Sequence, residues 1–266
     1  MASRDDYEYH LCAGGENMDQ IGEPTPGQRL EGFKFLFAVT EAIGGALIVL
    51  VFVWVVHFRG GFAWSSDVSL QFNWHPFLMT VGLVFLYANG MLIYRIQRNV
   101  RKRRLKLLHG GMMVFTLFLT VIALVAVFDM HNNSKPPIPN MYTLHSWVGL
   151  TSVILFGCQW LAGLVSFLYP GIQAPLRAAY LPIHTYFGTA GFIGVIASCL
   201  LGLNEKAIFA LTPQTYSKFT SEGVFINVIG LLFVVFAGLV VYLVSQDRYR
   251  RLPRPEDEVL LTGQSQ

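Results

Sequence analysis

At 266 residues, 53% hydrophobic and only 13% charged, the chain is far more apolar than a soluble domain, in which about a quarter of residues are charged. The net charge of +3 is too small to point to a nucleic-acid partner, and its distribution along the chain says more than its size. Cys12, Cys158 and Cys199 are widely spaced and form no Cys-x-x-Cys, and two of them, Cys158 and Cys199, fall inside apolar runs, which points to packing residues rather than a zinc or disulfide framework.

The first thirty residues are polar and hold no short apolar stretch ending in a cleavage site, so the first apolar run is expected to direct the chain to the membrane. A bilayer core of roughly 30 Å needs about 20 apolar residues as a helix. Six runs meet that need, at 33–56, 72–94, 107–128, 142–168, 182–203 and 223–244. The first contains Glu41, a carboxylate that is costly within lipid and is expected to be neutral or to face another helix. Small residues recur in the runs (Gly44, Gly45, Gly110, Gly111, Gly188, Gly191, Gly194) and allow helices to approach closely. The expected fold is therefore an all-α membrane protein of six transmembrane helices. Residues 1–32 form an N-terminal segment, 33–244 the membrane domain and 245–266 a C-terminal tail.

Six spans put both termini on one side. That side holds Arg4, Arg29, Lys34, the seven basic residues between 95 and 106, Arg177, Arg248, Arg250, Arg251 and Arg254. The opposite side holds Arg59, Lys135, Lys206 and Lys218. Fifteen against four assigns the termini to the cytosol by the positive-inside rule.

Four of the seven histidines fall near the start of successive spans: His75, His109, His145 and His184. A single histidine near a helix end is usually a packing or interfacial residue, but one in each of four consecutive spans is a pattern. Spans two and four enter from the luminal side, which sets His75 and His145 at one depth. Spans three and five enter from the cytosol, which sets His109 and His184 at another. In an up-down bundle like-directed helices are diagonal, so each pair faces across the interior. Zinc sites gather three or four ligands at one point, whereas this arrangement offers two at each of two depths, the geometry of haem iron with both axial positions filled. Helix 2 to helix 5 would thus hold two b haems, with irons roughly 20 Å apart. His10 and His57 have simpler solvated or interfacial roles. His131 is expected in a short luminal loop, Phe128-Asp129-Met130-His131-Asn132, just above the luminal haem.

The motifs Arg59-Gly-Gly-Phe-Ala-Trp64, Phe72-Asn-Trp-His75-Pro, Tyr94-Arg95, Tyr142-Thr-Leu-His145-Ser-Trp147, Leu181-Pro-Ile-His184, Gly202-Leu-Asn-Glu-Lys206 and Glu222-Gly-Val-Phe-Ile-Asn227 resemble the cytochrome b561 family of ascorbate-dependent transmembrane reductases. The resemblance runs from about Arg59 to Pro253 and is nearest the animal chromaffin-granule, duodenal and lysosomal forms. It implies that the four histidines are axial haem ligands, paired as above. It further implies that Lys102, Lys106 and Arg177 receive cytosolic ascorbate, and that Lys102, Arg95 and Arg250 hold the cytosolic haem's propionates. On the luminal side it implies haem contacts from Asn140, Met141, Tyr142, Thr143 and Glu205, and a substrate contact from His131. Thr143 stands where the family more usually has Ser, and the segment from Asn132 to Pro139 is slightly long. The implied activity is electron transfer from ascorbate to ferric iron or monodehydroascorbate, by a homodimer.

The tail reads Glu256-Asp-Glu-Val-Leu260-Leu261, an acidic dileucine pattern that directs proteins to late endosomes and lysosomes; a secretory vesicle or the plasma membrane is the alternative address. A nicotinamide-fed oxidase is disfavoured, because no G-x-G-x-x-G follows a strand. The competing function of another class is a cofactor-free transporter or channel in which the histidines relay protons.

Overall fold

The computed structural model describes residues 30–252. Among them there is no strand, and six helices are long and apolar enough to cross a membrane. We number these α1 (Phe33–Phe58), α2 (Val68–Ile96), α3 (Lys102–Asn133), α4 (Leu144–Phe167), α5 (Ala174–Tyr216) and α6 (Ser221–Ser245). His10, Cys12 and the dileucine pattern at Leu260 and Leu261 lie outside the described residues.

Local chemistry fixes where several helices begin. Asp67 accepts from the backbone N–H of Ser69 at 2.9 Å to cap α2, and the Ser69 hydroxyl, followed by this backbone bond, holds its carboxyl below the usual carboxylate range. Thr143 caps α4 through the N–H of Ser146, and Thr220 caps α6 through that of Gly223. The glycines at 60 and 61, both at positive φ, turn the chain out of α1. Asn73 then donates to the carbonyls of Arg59 and Gly61, and the Trp74 indole donates to Ala63. These contacts lock the loop between α1 and α2 onto Asn73 and Trp74, the two residues before His75.

Two helices run further than their apolar stretches. α3 continues past Phe128 to Asn133, so His131 sits in its last turn and not in a loop. α5 continues past Leu203 to Tyr216, broken only by a non-helical Thr212, so Glu205 and Lys206 are helical. Apolar length reports the thickness of the lipid; a helix can carry on through the headgroup region, where polar side chains suit it.

α2 packs on α3, α3 on α4, α4 on α5, and α5 returns to α2, closing a ring in which α2 and α4, and α3 and α5, are diagonal. α1 and α6 pack on each other outside the ring. The α4–α5 seam is close: a Cβ on Gly194 would lie 2.5 Å from the Ser152 hydroxyl, a contact only glycine permits. Glu41 faces a neighbour, as the buried carboxylate requires. Its Oε2 lies 3.5 Å from the amide nitrogen of Asn89 on α2, while Oε1 is buried without a hydrogen bond.

Candidate functional site

The ring brings the four histidines together in two pairs at opposite ends. The centroids of His75 and His145 are 6.1 Å apart with planes at 89°. Those of His109 and His184 are 6.2 Å apart with planes at 74°. A metal–nitrogen bond of about 2 Å on each side, with roughly 1.1 Å from nitrogen to ring centre, sets two imidazole centroids about 6 Å apart. Each pair thus has the spacing of two axial ligands on one ion. Among the described residues no group of three or more His, Cys, Asp or Glu gathers at one point.

The other ring nitrogens are committed. His75 donates from Nδ1 to the carbonyl of Ala123 (3.2 Å), His109 to Gly90 (2.8 Å) and His145 to Ser198 (2.9 Å). An Nδ1–H bound to a backbone carbonyl leaves Nε2 with its lone pair and fixes the ring's direction, as in ligating histidines. His184 differs, since its Nδ1 is buried without a partner. The rungs from α2 to α3 are reciprocal: His75 reaches Ala123, and His109, fourteen residues before it, reaches Gly90. Helical rise over that interval separates the two pairs by roughly 21 Å.

Between them the bundle axis is filled by aromatic rings that no sequence motif had marked. Tyr87 packs on Phe156 (4.7 Å) and Phe192 (5.6 Å) and donates to the carbonyl of Gly188 at 2.7 Å, tying α2 to α4 and α5.

At the face that holds the helix ends nearest the termini, Tyr94 lies 5.9 Å from His109, and Phe167 lies 5.4 Å from His184. Lys106 donates to the carbonyl of Phe167 at 3.0 Å, capping α4, and its ammonium is near enough to Lys102 and Arg177 to be repelled by both. Lys102, Lys106 and Arg177 therefore converge, although they come from two helices. Arg95 and Arg250 are placed differently. Arg95 donates to the carbonyls of Val244 and Gln246 and so closes the end of α6, while Arg250 pairs with Asp247 at 3.3 Å on the exposed surface.

At the opposite face a cavity of about 460 Å³ opens onto His75 and His145 and is lined also by His131, Asn140, Glu205 and Lys206. Met141 and Tyr142 line it too, whereas Thr143 serves as the α4 cap. Nδ1 of His131 donates to Asn140 at 3.1 Å. Beside this cavity Glu222 accepts from the Trp54 indole (2.9 Å) and from the Arg59 guanidinium, joining α1 to α6. The motif residues Arg59 and Glu222 are thus a buried latch. Lys206, part of another motif, sets its ammonium 3.9 Å from the centre of the Phe72 ring. The sequence reading placed it in that motif but gave it no role of its own.

Fold and site together define a polytopic membrane protein with two histidine-pair sites stacked along one four-helix ring. The chain belongs to the eukaryotic cytochrome b561 family, whose model matches residues 74–210. It is 41% identical to the plasma membrane ascorbate-dependent reductase CYBRD1 of Xenopus tropicalis, over 86% of this chain and 81% of that protein. It is also 41% identical to the transmembrane ascorbate-dependent reductase CYB561 of Homo sapiens, over 85% and 88%, and 39% identical to that of Bos taurus, over 90% and 93%.

Proposed function

We propose that the protein carries electrons from cytosolic ascorbate across the membrane to a luminal acceptor, ferric iron or the monodehydroascorbate radical, through two haem b groups per chain. His75 with His145, and His109 with His184, would be the axial ligands. The spacing of the two imidazole pairs carries the reading. Relatives named as ascorbate-dependent reductases support the donor. Haem, when bound, supplies reversible one-electron chemistry.

The chain's own residues supply the rest. Backbone carbonyls aim three of the four imidazoles, and Tyr87, Phe156 and Phe192 exclude water between the pairs. Lys102, Lys106 and Arg177 offer charge-assisted donors to a monoanionic donor such as ascorbate. Arg95 and Arg250 are the further candidates for propionates on that face. Asn140 to Thr143 and Glu205 are those for the luminal haem, with His131 beside the acceptor. In this reading residues 1–32 and 245–266 flank the membrane domain on the cytosolic side, the protein works as a homodimer, and the acidic dileucine directs it to a late endosomal or lysosomal membrane. An electron moving toward a more positive lumen gains about 2.3 kcal/mol per 100 mV.

The test is spectroscopic. Purified protein should show two low-spin haems per chain by pyridine haemochrome, be reduced by ascorbate in stopped flow, and be reoxidised by ferric chelate or the ascorbate radical. A colourless protein that folds and inserts would overturn the reading in favour of a proton-relaying transporter.

A further inference from the structure

A second cavity, of about 430 Å³, adjoins the first at the luminal end; Phe72, Met130, Ile138 and Lys206 line both. Its remaining wall comes from the start of α2 and the end of α3, and includes Lys135. Two ammonium groups line it and no carboxylate does. The acidic groups nearby are engaged elsewhere. Asp67 caps α2 through Ser69 and Leu70, Asp129 lies 3.3 Å from the amide of Gln71, and Glu222 is bound by Arg59 and Trp54. Glu205 lines the inner cavity only. Among the described residues Lys206 forms no contact ion pair; its ammonium lies over the face of Phe72 and feels both the attraction of Glu222 and the repulsion of Arg59. That ring in turn lies 6.1 Å from His75. An occupant of the outer cavity would rest one aromatic ring from a histidine of the luminal pair.

We propose that this outer cavity is a docking subsite for an anionic one-electron acceptor, in which Lys135 and Lys206 select negative charge and Phe72 forms the wall toward His75. The inference rests on the electron-transfer reading above and names the class of acceptor. Ferric iron would arrive as an anionic chelate and not as a free cation. Ascorbate on the cytosolic face loses one electron and one proton; on the luminal face the chelated ferric ion gains that electron and becomes ferrous, with no bond made or broken in the chelate. The radical acceptor, itself a monoanion, gains the electron and a proton from water to become ascorbate. Charge at such a rim acts mainly on encounter and orientation, so its removal should appear in the second-order rate and in its salt dependence.

The experiment uses holoprotein in ascorbate-loaded liposomes, where only molecules with the donor face inside turn over, and two external acceptors of opposite charge, ferricyanide and hexaammineruthenium(III). Combining Lys135→Gln with Lys206→Gln should lower kcat/KM for ferricyanide about tenfold and flatten its salt dependence, with the cationic acceptor unaffected or faster. Lys206→Arg should keep the preference for the anion. Lys135→Glu alone, at an exposed position, should lower the ferricyanide rate and raise that of the cation. Equal losses for both acceptors, or no change in either, would overturn the subsite. Haem content and the rate of internal reduction by ascorbate are read in the same samples. Failure of those in the wild type would sink the electron-transfer reading itself, whereas normal values with no charge discrimination sink the subsite alone.

Discussion

The ring of His145 lies directly against the backbone of Gly202: a Cβ at that position would stand 2.8 Å from Cε1 and 2.9 Å from Nδ1 of the imidazole. Ser198, one turn earlier on α5, accepts from the same ring. The α5 backbone thus sets both the height and the tilt of His145, and a methyl group at 202 has to push the imidazole off its axis. If the proposed two-haem arrangement holds, Gly202→Ala should therefore lose the haem at His75 and His145 and leave the other in place, giving about half the haem by pyridine haemochrome, as His145→Ala should. Gly238→Ala, where nothing lies within 4 Å, is the control and should retain both. Full haem content in Gly202→Ala would show that the luminal pair does not depend on this contact.

The Glu222 latch should matter to stability more than to chemistry. Its carboxylate accepts from Trp54 and Arg59, and the side chains of Arg59 and Glu222 are only 18% and 10% exposed. Glu222→Ala strands a nearly buried guanidinium and an indole N–H together, a loss of about 3 kcal/mol by analogy with broken buried pairs. Glu222→Gln keeps an acceptor for Trp54 and should cost less. Thermal unfolding in detergent, followed by loss of the haem absorbance, should rank wild type above Gln and Gln above Ala; equal midpoints for all three would mean that α1 and α6 are held by their apolar contact alone.

The six spans were legible because lipid imposes a length of apolar sequence that nothing in a soluble domain demands. The diagonal pairing of the histidines was legible for a related reason: alternating helix direction fixes depth, and short connections fix neighbours. What was not legible depends on partners distant in sequence. Nothing around Arg95 announces that its guanidinium closes α6, because the carbonyls it reaches belong to Val244 and Gln246. The carbonyl acceptors of His75, His109 and His145 carry no side-chain signature at all. His131 was misplaced into a loop because Asp129, Asn132 and Asn133 look like turn residues, yet α3 carries them through its final turn. Lys206 stood in a motif without a role because its partner is the face of an aromatic ring.

The tail offers a test of address. Glu256, Asp257 and Glu258 precede Leu260 and Leu261. Changing both leucines to Ala should shift tagged protein from internal vesicles toward the plasma membrane in imaging. An unchanged distribution would mean that the pattern arose by chance.

The donor face poses the sharpest choice, because three roles compete for the same charges. Lys102, Lys106 and Arg177 can set topology, can close helix ends, or can bind the anionic donor. The structure gives the second role substance, since the Lys106 ammonium caps α4 at the carbonyl of Phe167. It also keeps the third open, since three cations from two helices converge despite mutual repulsion, and that repulsion is relieved when an anion binds among them. Topology alone needs only net positive charge near the membrane, which the other basic residues between 95 and 104 supply. A cap alone needs one donor at Phe167, and a glutamine amide still provides one. Lys106→Gln combined with Arg177→Gln should therefore insert normally and bind both haems, yet be reduced by ascorbate at least about tenfold more slowly, a loss of roughly 1.4 kcal/mol. Dithionite, which does not depend on the site, should reduce both haems fully in the same sample. Raising the ionic strength should slow the wild type toward the variant and leave the variant nearly unchanged. Reduction of the double variant by ascorbate at the wild-type rate would assign these charges to topology and capping, and would place the donor elsewhere on that face.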